Sequence, residues 1–362
     1  MECEMQELYW DCAAAMPPDR ETLDFYRRMM EEHFANQEAI HLLAYRERQV
    51  LEQAERELAK LVTGRAADRV VWGGSATEIF RLIAASPVFK SAVFSTLEHP
   101  AVHANFKHLA PEIWQAGTDG KIIAAPEAET AELACFHQVQ SELGVIQDVS
   151  GLFNALPGAC RMVDAVQAAG KMAVQDADIT VISGVKFGSP GGAAAILRHD
   201  GKFTEALWKH IRILRSEKYA VGRISVPLVL TMVYALQRAV DVQNERSGNL
   251  NALRQEIIAG CRRWDIVPVL PDNVPVSPYI LSLLLPVQQS AIVVRALSEK
   301  GVFTASGSAC SAESDEPSAA MLAIRRSRNE AYRALRLSFR GNESGKDVKF
   351  FLSALETVLK NY

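Results

Sequence analysis

Ser183-Gly184-Val185-Lys186-Phe187-Gly188-Ser189-Pro190-Gly191-Gly192 lies between two short apolar runs, 180–183 and 193–197. Both runs are strand-sized, and the Gly- and Pro-rich segment between them has the composition of a turn. A lysine closing a strand is ordinarily a solvated surface charge. One held at a sheet edge and desolvated is different, because burial lowers its pKa and makes the amine a nucleophile and proton carrier.

Upstream, the chain alternates short apolar runs (69–72, 92–95, 133–137, 161–163) with helical patterns. That alternation predicts an α/β fold with a mainly parallel sheet and helices on both faces, whose ligands sit beyond the carboxyl ends of the strands. Residues 21–62 read as helices, with apolar residues at helical spacing over 42–61. A long helical pattern after Pro227 reaches about Arg263 and contains the expected domain change. Beyond it come a strand (279–285), a helix (289–300), a polar loop (304–318), a strand (334–339) and a last helix (346–359), which suit a smaller α+β domain. The expected large domain is 15–245; 1–14 and 246–362 form the small one. With 362 residues, two domains match ordinary domain sizes.

Lys and Arg number 39 against 43 Asp and Glu, a net charge of -4. No clustered basic face suggests nucleic acid. The N-terminal residues are acidic rather than signal-like, and no apolar run is long enough for a bilayer, so the expectation is a cytoplasmic protein without a membrane partner. Six cysteines (3, 12, 135, 160, 261, 310) have neither zinc spacing nor a CxxC pair, so free thiols and no metal are expected. Cys135 and Cys160 read as small buried hydrophobes.

Four further segments carry candidate chemistry. Asp164, in Met162-Val163-Asp164-Ala165-Val166-Gln167, directly follows an apolar strand. A pyridoxal phosphate (PLP) enzyme needs such an acid against the pyridine nitrogen, and a lysine such as Lys186 for the Schiff base. Read alone, Asp164 is more often a helix cap. Trp72-Gly73-Gly74-Ser75-Ala76-Thr77-Glu78 runs from strand through a small-residue turn into a helix, whose free N–H groups suit a phosphate. His99, after the strand 92–95, could stack on a ring and pass protons. Cys310 lies near the centre of a small, polar loop, Ala305-Ser306-Gly307-Ser308-Ala309-Cys310-Ser311-Ala312.

These elements, in this order, resemble the cysteine desulfurase branch (NifS/IscS-like) of the class V aminotransferase family, PLP fold type I. The resemblance runs from Tyr9-Trp10-Asp11-Cys12-Ala13-Ala14-Ala15 to Leu335-Arg336-Leu337-Ser338-Phe339. It implies that Lys186 carries the cofactor, Asp164 pairs with the ring nitrogen, Gln167 lies near the ring hydroxyl and His99 stacks on the ring. Ser75, Ala76, Thr77 and Ser183 would hold the phosphate, and Arg336 the substrate carboxylate. Cys310 would take sulfur from L-cysteine as a persulfide, releasing alanine, and pass it to an acceptor protein. The acceptor would be an iron–sulfur scaffold or a carrier for thiolated products. A homodimer is implied.

The chain departs from the family pattern at four places. Val185 stands where a histidine is usual, Cys12 where an asparagine is usual, and Gln140-Ser141 where two asparagines are usual. The last pair is where a contact to cofactor or substrate is implied. Ala220-Val221-Gly222-Arg223 replaces an Arg-x-Gly-Thr segment through which a neighbouring subunit contacts the phosphate, so Arg223 is the candidate for that contact. Two alternatives follow from these departures: a PLP-dependent lyase or aminotransferase of other specificity, such as a selenocysteine lyase, and a non-catalytic relative.

Overall fold

A computed structural model describes residues 7–125, 131–216, 224–307 and 316–361. Its strands are β1 (Leu8–Tyr9), β2 (Arg69–Gly73), β3 (Ala92–Ser95), β4 (Glu112–Trp114), β5 (Leu133–His137), β6 (Cys160–Asp164), β7 (Ile179–Ser183), β8 (Ala193–Leu197), β9 (Val267–Pro268), β10 (Ile280–Leu284), β11 (Val302–Phe303), β12 (Ala305–Ser306) and β13 (Ala334–Ser338). Its helices are α1 (Arg20–Glu32), α2 (Leu42–Thr63), α3 (Ala76–Ala84), α4 (Pro100–Phe106), α5 (Val149–Asn154), α6 (Lys202–Ser216), α7 (Val226–Cys261), α8 (Ser290–Ser298), α9 (Ala319–Ala323), α10 (Arg328–Tyr332) and α11 (Gly345–Lys360).

Seven strands form the main sheet in the order β2-β8-β7-β6-β5-β3-β4. From β7 to β4 every pairing is parallel, while β8 runs against both β7 and β2. Strand β2 therefore points the same way as β7. Gly73, Ser95, His137, Asp164 and Ser183 all close their strands at one edge.

Alternation along the strands feeds two cores. Phe136, Val163 and Ile182 face Leu58 of α2 and Met232 of α7, while Cys135, Met162 and Val181 face Phe80 of α3 and Phe106 of α4. With helices on both faces, β5, β7 and β8 are buried throughout, as a sheet of this kind requires. Cys135 and Cys160 are fully buried in this packing.

The 36 residues of α7 span about 54 Å at 1.5 Å per residue. The helix buries Met232 and Leu236 against the main sheet, and Leu250, Leu253 and Ile257 in a separate core. That core also holds Leu8 and Trp10 with Leu335, Leu337, Phe339 and Phe351. Its sheet has the order β12-β13-β10-β9, all antiparallel, and β1 pairs in parallel with β11. The N-terminal segment thus begins in the second core. It then crosses to the main sheet, where Met16 N–H donates to the Val185 carbonyl at 2.7 Å. No helix among the described residues is long and apolar enough to cross a membrane.

Candidate active site

A cavity of about 360 Å³ opens at the carboxyl edge of the main sheet. It is bordered by Ser75, Ala76, Thr77, His99, Gln140, Ser141, Asp164, Gln167, Ser183, Lys186 and Arg336, and also by Asp11, His137 and Val185. Every candidate side chain within the described residues therefore meets in one place. Cys310 and Arg223 lie outside the described residues. A second cavity, of about 340 Å³ near Leu61, Arg65 and Val174, adjoins the start of β7. Its one arginine is already paired with Asp68 and Asp176, and it gathers no comparable chemistry.

The turn after β7 presents Lys186. Gly184 N–H donates to the Gly192 carbonyl, and Ser189 N–H to the Gly184 carbonyl, which folds the segment tightly back on itself. A Cβ at Gly184 would stand 2.3 Å from the Gly191 carbonyl oxygen, so only glycine fits there. Lys186 Nζ donates to the Ala14 carbonyl, tying the amine to the crossing N-terminal segment.

Asp164 closes β6 and is 7% exposed. Its Oδ1 accepts the Val166 N–H at 2.9 Å, a local turn bond rather than the cap of an α-helix. Burial pushes the Asp164 carboxyl up to about 6. The charge of Glu98 adds to the rise, while the Val166 bond, His137 and Lys186 oppose it.

His99 caps α4: its Nδ1 accepts the Ala101 N–H at 3.1 Å, so Nε2 carries the proton of the neutral ring. The residue is exposed at the cavity mouth, yet the surrounding wall, followed by the Lys186 charge, lowers its pKa.

Two expected contacts are organised differently. Gln140 uses Oε1 to accept the N–H groups of Glu142 and Leu143, capping its own turn. Ser141 meets Arg336 through its backbone carbonyl, at 3.2 Å. Arg336, buried on β13, also donates from Nη2 to Asp11 Oδ1 at 2.7 Å, and its Nε has no hydrogen-bond partner among the described residues.

Ser75 caps α3 by accepting the Glu78 N–H, and Glu78 folds back to accept the Gly74 N–H. The Ala76 and Thr77 N–H groups begin the helix and have no intrahelical acceptor.

The sequence reading missed Lys171. It is fully buried behind Gln167: its Nζ donates to Gln167 Oε1 at 2.9 Å, and Gln167 Nε2 donates to the Ala13 carbonyl. Burial, and then the Lys186 charge, bring the Lys171 amine down to about 7. The available signal was its spacing of four from Gln167, which needs a helical turn to have meaning.

A lysine whose folded pKa is depressed binds fewer protons folded than unfolded between about 7 and 10.5, so stability rises with pH across that window. From about pH 7 to about pH 9 this contributes about 2 kcal/mol. Urea unfolding of the cofactor-free protein should show that increment, and Lys171→Met should lose it.

Solved structures share this architecture. A NifS-like protein superposes with a TM-score of 0.83 at 20% identity, covering 99% of this chain and 100% of the other. A NifS-like protein from Rickettsia africae gives 0.84 at 17%, covering 98% and 100%. The fold is therefore that of fold type I, a mostly parallel central sheet flanked by helices. Within that fold type, the chain belongs to the class V aminotransferase family, whose model matches residues 8–206. Among curated proteins it is similar to cysteine desulfurase IscS 1 of Archaeoglobus fulgidus, 25% identical over 97% of each chain. It is also similar to putative cysteine desulfurase NifS of Bacillus subtilis, 24% identical over 97% of this chain and 94% of the other.

Members of the family depend on PLP, and the residues present fit that group. Asp164 makes no direct ion pair among the described residues, and burial drives its carboxyl toward neutrality against the charges of His137 and Lys186; a protonated ring nitrogen would supply a direct cationic partner. The start of α3 would offer N–H groups to a phosphate, and Lys186 an amine to an aldehyde, in the same cavity.

Proposed function

We propose that the protein is a cysteine desulfurase: it removes sulfur from L-cysteine, releases L-alanine and carries the sulfur as a persulfide on Cys310. The observation behind this reading is the convergence of Lys186, Asp164, His99, Gln167 and Arg336 on one cavity. It is supported by the curated relatives named cysteine desulfurase and by the structure of SspA in complex with cysteine, which has a TM-score of 0.71 at 22% identity.

PLP, when bound, supplies an electron sink for charge developing on the substrate carbons. Lys186 would hold it and move the substrate's α-proton. Asp164 would keep a proton on the ring nitrogen. Gln167, fastened between Ala13 and Lys171, presents a fixed polar edge for the ring hydroxyl. Ser75, Ala76, Thr77 and Ser183 would take the phosphate, joined by Arg223 of a second subunit in a homodimer. His99 would stack on the ring, its neutral imidazole carrying the proton on Nε2.

Arg336 would orient the substrate carboxylate, with Asp11 fixing its guanidinium from one side. Arg336→Lys removes the planar fork. It should raise KM for L-cysteine about 10–100-fold, the worth of one charged hydrogen bond, while leaving the visible cofactor band intact. Steady-state kinetics across a cysteine series checks this.

Cys310 lies outside the described residues; upstream of it, Ala305 of β12 pairs in register with Arg336, and Gly307 N–H donates to the Ala334 carbonyl. A thiolate at Cys310 would attack the substrate sulfur. The carbon–sulfur bond breaks, a sulfur–sulfur bond forms, and the carbon skeleton leaves as alanine after protonation. A thiol of the acceptor protein then takes the sulfur.

The test is incubation of purified protein with PLP, L-cysteine and dithiothreitol. Wild-type protein should release alanine and sulfide in equal amounts. Cys310→Ala should release neither while still binding the cofactor. Turnover surviving in Cys310→Ala would instead assign a lyase of other specificity.

A further inference from the structure

Three acidic and basic groups stand in a row along the carboxyl edge of the main sheet. Glu98 follows β3, His137 closes β5 and Asp164 closes β6, and these strands are consecutive neighbours in the sheet. His137 and Asp164 are register partners, so their side chains leave the sheet on the same face. Both border the main cavity.

Glu98 is 5% exposed and fully engaged. Its Oε1 accepts the Ser95 hydroxyl at 2.7 Å and His137 Nδ1 at 2.8 Å, and its Oε2 accepts the His137 backbone N–H at 2.9 Å. A buried carboxylate needs a compensating positive charge. The cation-forming group bonded to it, among the described residues, is His137, itself 3% exposed.

Because the carboxylate accepts, His137 Nδ1 carries a proton, and the second ring nitrogen decides whether the ring is charged. That Nε2 is buried and has no hydrogen-bond partner among the described residues. A buried polar atom left without a partner costs about 1–3 kcal/mol, so its place beside the cavity calls for a reason.

We infer that Glu98 and His137 form a charge relay behind Asp164, making His137 a positioning residue that keeps Asp164 ionised against the cofactor's ring nitrogen. The inference rests on the cofactor reading above. Signs then alternate along the row: Glu98 negative, His137 positive, Asp164 negative, ring nitrogen positive. Without the middle charge, Glu98 would face Asp164 as an uncompensated like charge and favour its neutral form. The charged groups acting on Asp164 are Glu98, His137 and Lys186 from the turn after β7. Glu98 also acts on His99 and His103 of the neighbouring helix, neither of which is bonded to it.

The nitrogen joining Lys186 to the cofactor reports the ring charge, because losing the positive ring nitrogen makes it more basic. In PLP-loaded protein, the pH midpoint of the visible band should rise by about one unit in His137→Met. His137→Gln, which keeps polarity and volume but not charge, should behave alike and stands in if the methionine variant misfolds. The double variant His137→Met/Glu98→Gln should return the midpoint toward wild type, because the uncompensated charge is gone. An unchanged midpoint in cofactor-bound single variants overturns the relay alone. So does a shift that Glu98→Gln leaves in place. Absence of any cofactor band in the wild type overturns the cofactor reading and the relay with it.

Discussion

Lys186→Ala is expected to abolish turnover of L-cysteine, with at least a 10³–10⁴-fold fall in kcat. Two functions leave with the amine. One is covalent attachment of the cofactor; the other is proton transfer at the substrate carbon, which alone contributes about 10²–10⁴-fold. The turn itself should survive, because it is held by backbone bonds from Gly184 to Gly192 and from Ser189 to Gly184, not by the lysine side chain. The variant should therefore fold and bind PLP without covalent linkage. Borohydride reduction followed by peptide mass analysis decides the matter. Wild-type protein should retain a pyridoxyl group on Lys186, and the variant none. A tag on another lysine, or undiminished alanine release, would remove Lys186 from the centre of the chemistry.

Asp164→Asn should cost about 10²–10³-fold in kcat, the usual scale for removing one preorganised electrostatic contact from a water-poor site. Asparagine keeps the shape and can still accept the Val166 N–H that orients the side chain. It cannot balance a positive ring nitrogen. The loss should therefore fall on kcat, with KM changed much less. Cofactor-free protein should respond in the opposite sense. The raised carboxyl means that the folded state binds more protons than the unfolded state between about pH 3.8 and about 6, so the ionised acid is a burden as pH rises through that window. Above about pH 6, cofactor-free Asp164→Asn should be more resistant to urea than the wild type. Gain of stability with loss of turnover is the signature of a charge retained for function.

Much of the fold was legible in the sequence because it depends on local rules. Apolar runs of strand length alternating with helical patterns announced the main sheet, and the segments at 92–95, 133–137 and 193–197 match β3, β5 and β8. Strand β4 was not anticipated, because Glu112-Ile113-Trp114 is three residues long and lies at the sheet edge, with no apolar run to mark it. The polar composition of 304–318 predicts a loop, whereas Ala305–Ser306 pairs with β13. A two-residue strand has no periodicity and exists through its partner.

The chemistry divides in the same way. The sequence alone determined the kinds of groups and their order: a lysine after a strand, an acid after another, a small-residue turn into a helix and a cysteine in a polar segment. Each is a residue type in a local context that the chain itself writes. Only tertiary structure decided which groups share an environment. Crossing the N-terminal segment between the two cores sets Asp11 against Arg336 and Ala14 against Lys186, contacts across 325 and 172 sequence positions. Parallel register sets His137 beside Asp164, and helical turning places Lys171 behind Gln167. Burial and neighbouring charge then set the protonation of each group, and those depend on distance through space rather than along the chain.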